Sequence, residues 1–100
     1  MVPRSEATAS TTGAKSLNMY YVYIIKLSNN LLYTGRSDNL TRRMLEHNRG
    51  KVKATKNYRP IKLIYYEAFC VKLDTIRREK YLKTTQGKRM IKLMLKESIK

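Results

Sequence analysis

Five side chains carry the chemistry that this sequence can offer: Tyr23, Tyr33, Arg43, His47 and Glu79. A guanidinium stays charged and binds a phosphate through two parallel hydrogen bonds. A phenol or an imidazole can transfer a proton, and a carboxylate can hold a divalent cation. Cleavage of a phosphodiester bond needs these functions together, because water must be deprotonated and charge must be stabilised on phosphorus and on the departing oxygen. The set therefore fits phosphodiester hydrolysis.

The two tyrosines stand near a glycine, and all three residues also have a plain structural explanation. Tyrosines in strands usually serve packing, and the chain contains eight of them. Tyr23 and Tyr33 lie at odd offsets from a predicted turn, so we expect them to share one face of a hairpin. At Gly35 the absence of a side chain would let substrate or the following loop approach closely. The alternative is an ordinary glycine at the end of a strand.

The arginine, the histidine and the glutamate have alternatives too. Arg43 and His47 are four residues apart and share a helix face. Pairing with a surface acid fits the neighbouring Arg42 better, because Glu46 lies four residues after it. His47 could orient a water or shuttle a proton, or it could be a helix-surface histidine without such a role. Glu79 borders a partly apolar helix face, where a carboxylate is costly unless it binds a cation or pairs with the lysine four residues on.

The charge of the chain indicates its partner. Twenty-two Lys and Arg residues stand against seven Asp and Glu, so the net charge is +15 and the surface attracts polyanions. No stretch approaches the ~18 consecutive apolar residues of a membrane-spanning helix, and we expect no membrane partner. Nucleic acid is the predicted partner, with DNA favoured over RNA. Contacts to its sugar-phosphate backbone, which position a duplex without reading sequence, are expected from Arg36, Arg49, Lys51, Lys53, Lys56 and Arg59.

Cysteine and histidine are scarce, which restricts redox and metal chemistry. Cys70 is the single cysteine and His47 the single histidine, so neither an internal disulfide nor a Cys/His zinc site can form. We expect Cys70 to be a small buried apolar residue. A reducing compartment follows, in the cytoplasm and nucleoid or the nucleus, or in an organelle if the first residues form a targeting segment. A metal would be held mostly by oxygen atoms, which favours Mg²⁺ or Mn²⁺.

The chain divides near residue 18. Residues 1–18 are rich in Ser, Thr, Ala and Gly, and we expect a flexible tail that is either an expression leader or a targeting segment. The domain comprises residues 19–100. Residues 19–27 are apolar or aromatic on both alternating faces and predict a strand buried on both sides, with a returning strand over residues 31–35 after a turn.

The remaining elements follow from caps and periodicity. Asp38 or Asn39 is the predicted N-cap of a helix that extends to about residue 48, and Gly50 ends it. A third strand is expected over residues 61–69 and a second helix over residues 71–83. Thr84 and Thr85 can cap a third helix, whose predicted apolar stripe consists of Ile91, Met94 and Leu95. The fold class is α+β, with a three-stranded, mainly antiparallel sheet flanked by about three helices in the order β-β-α-β-α-α.

Residues 21–23 (Tyr-Val-Tyr) and 33–35 (Tyr-Thr-Gly), followed by the arginine, histidine and glutamate above, resemble the GIY-YIG nuclease superfamily, in particular its small stand-alone members. The similarity runs from about residue 19 to about residue 95. It implies a compact domain that hydrolyses phosphodiester bonds with one divalent metal. The implied active-site residues are Tyr23, Tyr33, Arg43 and Glu79, with His47 at a supporting position. Tyr21 and Thr34 depart from the namesake motif, and neither change removes a reacting group.

The expected function is a metal-dependent DNA endonuclease. Tyr23 would act as general base and Tyr33 would position or assist it, while Arg43 binds the scissile phosphate and Glu79 holds the metal. The sequence offers no zinc finger, added recognition helix or second domain, so structure-directed or weakly sequence-selective cutting is expected. The alternatives are a non-catalytic DNA- or RNA-binding module and a nuclease subunit of a larger repair complex.

Overall fold

The computed structural model describes residues 18–100. The predicted tail lies outside these residues apart from Asn18. The element order confirms the predicted β-β-α-β-α-α sequence, to which a short fourth helix is added. The elements are β1 (Tyr20–Lys26), β2 (Leu32–Ser37), α1 (Leu40–Asn48), a single 3-10 turn (Lys56–Tyr58), β3 (Lys62–Phe69), α2 (Lys72–Leu82), α3 (Thr85–Met94) and α4 (Lys96–Ile99).

The three strands form one sheet in the order β2-β1-β3, and β1 is antiparallel to both neighbours. The hairpin between β1 and β2 turns at Asn29 and Asn30. The Asn29 side chain accepts a hydrogen bond from the Leu31 backbone N–H at 3.1 Å, and Asn30 has a positive φ of 69°. Asparagine tolerates this left-handed conformation better than most residues. The α+β fold with a three-stranded antiparallel sheet is therefore confirmed.

The central strand β1 is buried on both faces, as its composition predicts. Tyr23 and Ile25 point to one face, where Leu40 and Met44 of α1 pack against their cluster. Side chains from α2 and α3 cover the other face, in a cluster formed by Val22, Ile24, Leu82, Ile91 and Leu95. The sheet is thus the middle layer of the domain, with α1 on one side and the remaining helices on the other.

Helix α1 begins and ends at residues with defined capping roles. The Asn39 side chain accepts a hydrogen bond from the Arg42 N–H at 3.0 Å, so Asn39 rather than Asp38 is the N-cap. Gly50 follows the helix with a φ of 76°, and its N–H donates to the His47 carbonyl at 3.2 Å. Gly50 therefore ends the helix as predicted.

Two predictions about burial are wrong. Ile91 in α3 and Leu95 just after it face the core, but Met94 is 46% exposed because it does not lie on the face that these two residues share. Cys70 is exposed, because it follows the end of β3 in the short connection to α2, outside both core clusters. Within residues 18–100, none of the helices has the length and apolar character needed to span a membrane.

Candidate active site

Tyr23 is fully buried, with 0% of its surface exposed, and its cross-strand partner is Gly35. A Cβ atom at Gly35 would overlap the phenol oxygen of Tyr23 and lie 2.6 Å from its Cζ. The phenol therefore crosses β2 at the one position where no side chain obstructs it. The glycine admits a side chain of the protein itself, whereas the sequence suggested the approach of substrate or a loop.

Two side chains contact the Tyr23 phenol, and a third contacts one of these two. Its oxygen lies 2.8 Å from His47 Nε2 and 3.4 Å from Arg43 Nε. The other imidazole nitrogen, Nδ1, lies 2.8 Å from Thr55 Oγ1, whose own proton is directed to the Val52 carbonyl at 3.5 Å. We assign the imidazole proton to Nδ1, because this tautomer lets the Thr55 hydroxyl accept and leaves Nε2 as the acceptor for the Tyr23 hydroxyl.

The electrostatic environment keeps both groups of this pair neutral at pH 7. Burial raises the pKa of Tyr23 above its usual 10.0, and the hydrogen bond from Arg43 opposes this only in part. Burial and the nearby charge of Arg43 lower the pKa of His47 below its usual 6.5. His47 is fully buried, so its interpretation as a helix-surface histidine is wrong. In this state the phenol keeps its proton and the imidazole accepts a hydrogen bond from it, so transfer of that proton requires a change in their surroundings.

Arg43 is fixed by two contacts and keeps one nitrogen available. Its Nη1 donates to Glu46 Oε1 at 2.9 Å, while Nε contacts Tyr23. Arg42 pairs with Asp38 at 2.9 Å and lies 3.7 Å from Glu46. The expected ion pair between Arg42 and Glu46 is therefore present, but it is longer than the ion pair between Arg43 and Glu46. Nη2 of Arg43 makes no hydrogen bond within residues 18–100, and it can donate to a phosphate oxygen.

Glu79 of α2 lies 19% exposed between two cations. Its Oε1 accepts from Arg36 Nε at 3.1 Å, and its Oε2 lies 3.2 Å from Lys83 Nζ. The intrahelical pair with Lys83 is thus present, with a second cation added from β2. The charge of Glu79 is also among the effects that raise the pKa of Tyr23, which places this carboxylate within electrostatic range of the phenol. Glu79 is linked through Arg36 to β2, the strand that pairs with Tyr23 at Gly35.

A cleft of about 260 Å³ opens at the end of the sheet, where β2 leads into α1 and α2 begins. Its lining residues include four basic side chains and one acid. The cleft can attract and hold a phosphate group, and we call it the phosphate cleft; its basic residues are Arg36, Arg42, Arg43 and Lys72.

Sequence reasoning missed Lys72 and Thr55. Lys72 lies seven residues before Glu79, close to two helical turns, so helix periodicity could have placed both on one face of α2. Thr55 precedes the 3-10 turn in an irregular segment, and no periodic signal marks it. Its importance emerges only from its hydrogen bond to the buried His47.

The second motif tyrosine, Tyr33, is half-buried beside the same imidazole. Its ring centroid lies 5.6 Å from that of His47 in an edge-on arrangement, and Tyr23 shows the same centroid distance. The two tyrosines thus share one face of the hairpin, as the sequence predicts. Because Tyr33 is the more exposed of the two, it is the phenol that can meet solvent or substrate directly.

The six basic residues predicted to bind nucleic acid separate into two groups. Arg36 pairs with Glu79, and Arg59 donates to the backbone carbonyls of Lys56 at 2.9 Å and Asn48 at 3.3 Å, where it holds the end of α1. The remaining four are exposed in the segment that follows α1. We call this group the basic segment; it contains Arg49, Lys51, Lys53 and Lys56.

The family resemblance implies one divalent metal, and the donor set can be tested against it. Within residues 18–100 no group of three or more His, Cys, Asp or Glu side chains could enclose a cation. Mg²⁺ is commonly held by one or two carboxylates completed by waters and substrate phosphates. Glu79 beside the phosphate cleft fits that mode, provided that the flexible side chains of Arg36 and Lys83 release its oxygens.

Known proteins resemble this chain in sequence and in fold. Residues 19–92 match the GIY-YIG catalytic domain. A UPF0213 protein of Staphylococcus haemolyticus is 42% identical over 76 residues, which cover 75% of this chain and 93% of that protein. A UPF0213 protein of Clostridium perfringens is 40% identical over 83 residues, with 82% and 89% covered.

A similar solved structure comes from the same group of proteins. The solution NMR structure of a UPF0213 protein from Bacillus halodurans is 29% identical, with a TM-score of 0.50, and the match covers 76% of this chain and 84% of that one. Sequence and fold thus lead to the same assignment. The chain belongs to the GIY-YIG family of nuclease domains, as do proteins of the UPF0213 group.

Proposed function

We propose that the protein is a divalent-metal-dependent endonuclease that hydrolyses phosphodiester bonds in DNA, with structure-directed or weakly sequence-selective cutting. The observation that carries this proposal is the buried Tyr23 phenol held between a neutral imidazole and a guanidinium. A buried phenol needs one hydrogen-bond partner, which the imidazole provides, and packing alone does not require the guanidinium beside it. The phosphate cleft next to Arg43 supplies the binding site for the substrate backbone.

Proton transfer begins at the buried pair. Burial opposes this transfer in the free protein, so Tyr23 passes its proton to Nε2 of His47 only after substrate has opened the site to water, and the charge of Arg43 stabilises the resulting phenolate. The phenolate then accepts a proton from the attacking water. Because Tyr23 is 0% exposed, Arg43 has to move towards a bound phosphate before water can reach the phenol. Substrate binding therefore prepares the base.

The guanidinium group of Arg43 and the basic side chains near it bind the scissile phosphate. Nη2 of Arg43 donates to a non-bridging oxygen of the scissile phosphate, and Arg42 and Lys72 lie in the same cleft. These charges stabilise the additional negative charge that develops on phosphorus. Tyr33, half-buried at the same imidazole, positions the attacking water.

Glu79 is the residue that would hold the divalent ion, Mg²⁺ or Mn²⁺. When bound there, the ion would supply charge stabilisation for the departing oxygen. Arg36 and Lys83 neutralise the carboxylate in the free protein and have to release it. Both are drawn towards an anionic substrate, so arrival of nucleic acid favours that release.

Plasmid nicking tests the proposal. Supercoiled DNA, flap DNA, branched DNA and RNA are incubated with the protein with and without Mg²⁺ or Mn²⁺. We expect metal-dependent cutting of DNA that falls by about 10²-fold or more in Arg43→Ala, Glu79→Ala and Tyr23→Phe. Lys88→Ala on α3, which lines a different cleft, is the matched control and should cut normally. Equal residual cutting by the wild type and all three site variants would refute the assignment.

One observation favours a second candidate, a non-catalytic DNA- or RNA-binding module. Both oxygens of Glu79 are already neutralised by cations, as they would be in a domain that binds nucleic acid without cutting it. Salt-sensitive binding with no cleavage in any metal would support this candidate. Recruitment to a larger repair complex is a separate proposal, and co-purification of a stoichiometric protein partner would support it.

A further inference from the structure

An exposed aromatic side chain lies on the active-site face of the sheet but outside the site described above. Tyr66 of β3 is paired directly with Tyr23 of β1, so the two side chains project from the same face. Tyr23 is buried beneath α1, whereas Tyr66 is 52% exposed. The core clusters do not include Tyr66, so core packing does not account for its large ring.

Tyr66 is supported by a second tyrosine. The ring centroids of Tyr21 and Tyr66 lie 6.0 Å apart with an interplanar angle of 63°, a favourable edge-on arrangement. The two rings form one wall of a second cleft, of about 380 Å³, whose other residues lie at the start of α1. Asn39 and Thr41 add polar side chains to this cleft. An aromatic face beside hydrogen-bonding groups suits a planar, polar ligand.

The second cleft adjoins the phosphate cleft. Asp38 lines both, and its charge is paired with Arg42. Tyr20 lines the phosphate cleft and Tyr21 the second one; successive strand residues project from opposite faces of the sheet, so the two clefts meet at the sheet edge where Asp38 lies. A ligand that spans both clefts would present an anionic group and a planar group close together, as a nucleotide does.

We propose that Tyr66, supported by Tyr21, is a stacking platform for an unpaired nucleobase next to the scissile phosphate. A base inside a duplex is covered on both faces and would have to leave the stack to reach Tyr66, which costs free energy. A base in a flap, bulge or single strand meets no such cost. This inference rests on the proposed nuclease function and assigns its substrate class, namely DNA with unpaired nucleotides at the cleavage point.

The absence of tryptophan from the sequence allows a direct optical test. Tyr66→Trp introduces a single indole at the platform and keeps an aromatic ring there. The probes are a flap DNA and a duplex of the same sequence closed by hairpins at both ends, titrated in EDTA to prevent cutting. We expect the flap to quench the fluorescence strongly and the closed duplex to leave it nearly unchanged. Tyr81→Trp is the control, because Tyr81 is 37% exposed on α2 and lines neither cleft.

The affinity of Tyr66 variants for flap DNA gives a second test of base stacking. Removal of one base-stacking ring should weaken flap binding by about 5- to 150-fold. We expect this loss in Tyr66→Ala, with less than 2-fold change for the closed duplex, and near-normal binding in Tyr66→Phe. Thermal unfolding followed by circular dichroism verifies that each variant is folded, and Tyr66→Phe and Tyr66→Trp retain the ring if the alanine variant is unstable.

The outcomes separate this inference from the function on which it rests. If wild-type protein binds flap and closed duplex equally and Tyr66→Ala changes both to the same extent, stacking at Tyr66 is refuted while the nuclease proposal stands. An unquenched indole in a saturated flap complex would refute it as well. If the wild type binds no DNA at all, the proposed function itself fails.

Discussion

His47 is the only histidine of the chain, and its imidazole is buried between the hydroxyl groups of Tyr23 and Thr55. In the assigned arrangement the ring is neutral, donates from Nδ1 to Thr55 and accepts at Nε2 from Tyr23. Protonation of Nε2 would turn an acceptor into a donor and place a charge next to Arg43 in a buried position. His47, to which the proposed mechanism assigns the proton of Tyr23, is therefore also a pH-sensitive contributor to the fold.

We predict that the free energy of unfolding decreases as the pH falls from about 6.5 towards 5. The folded-state pKa of His47 lies below its usual 6.5, so between the two values the unfolded chain binds more protons than the folded one. The stabilisation is present above the unfolded pKa and is lost as pH falls through the folded pKa. Urea unfolding at a series of pH values measures it.

The matched variant for this measurement is His47→Gln, which cannot titrate in this range. Its unfolding free energy should be lower than that of the wild type at pH 7 but nearly constant down to pH 5. The hydrogen bonds to arginine lower the pKa values of Glu46 and Glu67 below 4.5, so their effects come at lower pH. Identical pH slopes in both proteins between 7 and 5 would contradict the prediction.

The residue types of the candidate site could be predicted from the sequence, but their surroundings could not. Tyr23, Arg43 and Glu79 were found because spacing and family resemblance point to them. The burial of His47 depends on Thr55, whose position is fixed by an irregular segment, and no periodic pattern marks such a segment. Likewise, Glu46 was predicted to pair with Arg42 from spacing alone, whereas side-chain directions bring it closer to Arg43.

At the scale of elements, predictions succeeded where one pattern decides the structure. The double-sided apolar composition of β1 indicated a central strand, and the Asn39 cap marked the start of α1. Strand β2 continues to Ser37, beyond the expected end at Gly35, because its last two residues pair with Val22 and Tyr21 of β1. The end of β2 is therefore set by its pairing with β1, which the composition of residues 36 and 37 alone does not reveal.

At the junction of α2 and α3, we expect replacement of a helix glycine by alanine to destabilise the protein, whereas this replacement normally stabilises a helix. Glycine within a helix normally costs about 0.5–1 kcal/mol relative to alanine, so Gly87→Ala in the first turns of α3 would ordinarily stabilise the protein. Here a Cβ at residue 87 would lie 2.7 Å from Leu82 Cα and would also contact the Tyr81 carbonyl oxygen. Backbone atoms cannot rotate away, so we expect a net loss of about 1–3 kcal/mol in the free energy of unfolding.

Chemical denaturation of Gly87→Ala and of its neighbour Gln86→Ala measures this effect. Gln86 is exposed on the same helix, and its replacement should change stability by less than about 0.5 kcal/mol. If Gly87→Ala is as stable as the wild type or more so, the close approach of α3 to the end of α2 is not as described.

At the scale of the whole molecule, the excess positive charge is distributed over both sides of the sheet. The basic segment follows α1. Thr55, whose hydroxyl contacts His47, lies between two of its residues, Lys53 and Lys56. On the opposite side, an apolar cleft of about 580 Å³ is bordered by Lys88, Lys92 and Lys96. Only the basic segment adjoins the candidate site, so the two groups of lysines should differ in their effect on DNA binding.

We predict that a triple variant with Lys51→Gln, Lys53→Gln and Lys56→Gln binds DNA with a weaker salt dependence. Each lost phosphate contact reduces the slope of log K against log salt concentration by about 0.9 for duplex DNA, so three contacts give a change of about 2.7. The matched control replaces Lys88, Lys92 and Lys96 by Gln, which removes the same charge and should leave the slope nearly unchanged. Equal slopes in the two triple variants would show that net charge alone governs binding.

The hydroxyl of Thr55 lies within the stretch of chain that carries those lysines, between Lys53 and Lys56. A displacement of this stretch by bound DNA would alter the donor and acceptor geometry at the imidazole without any contact between DNA and His47. In the proposed mechanism, binding of the polymer and deprotonation of the base would therefore be coupled through the backbone between Lys53 and Lys56. Under that mechanism, a sequence change here that alters DNA affinity would also alter the hydrogen bond that Thr55 makes to His47.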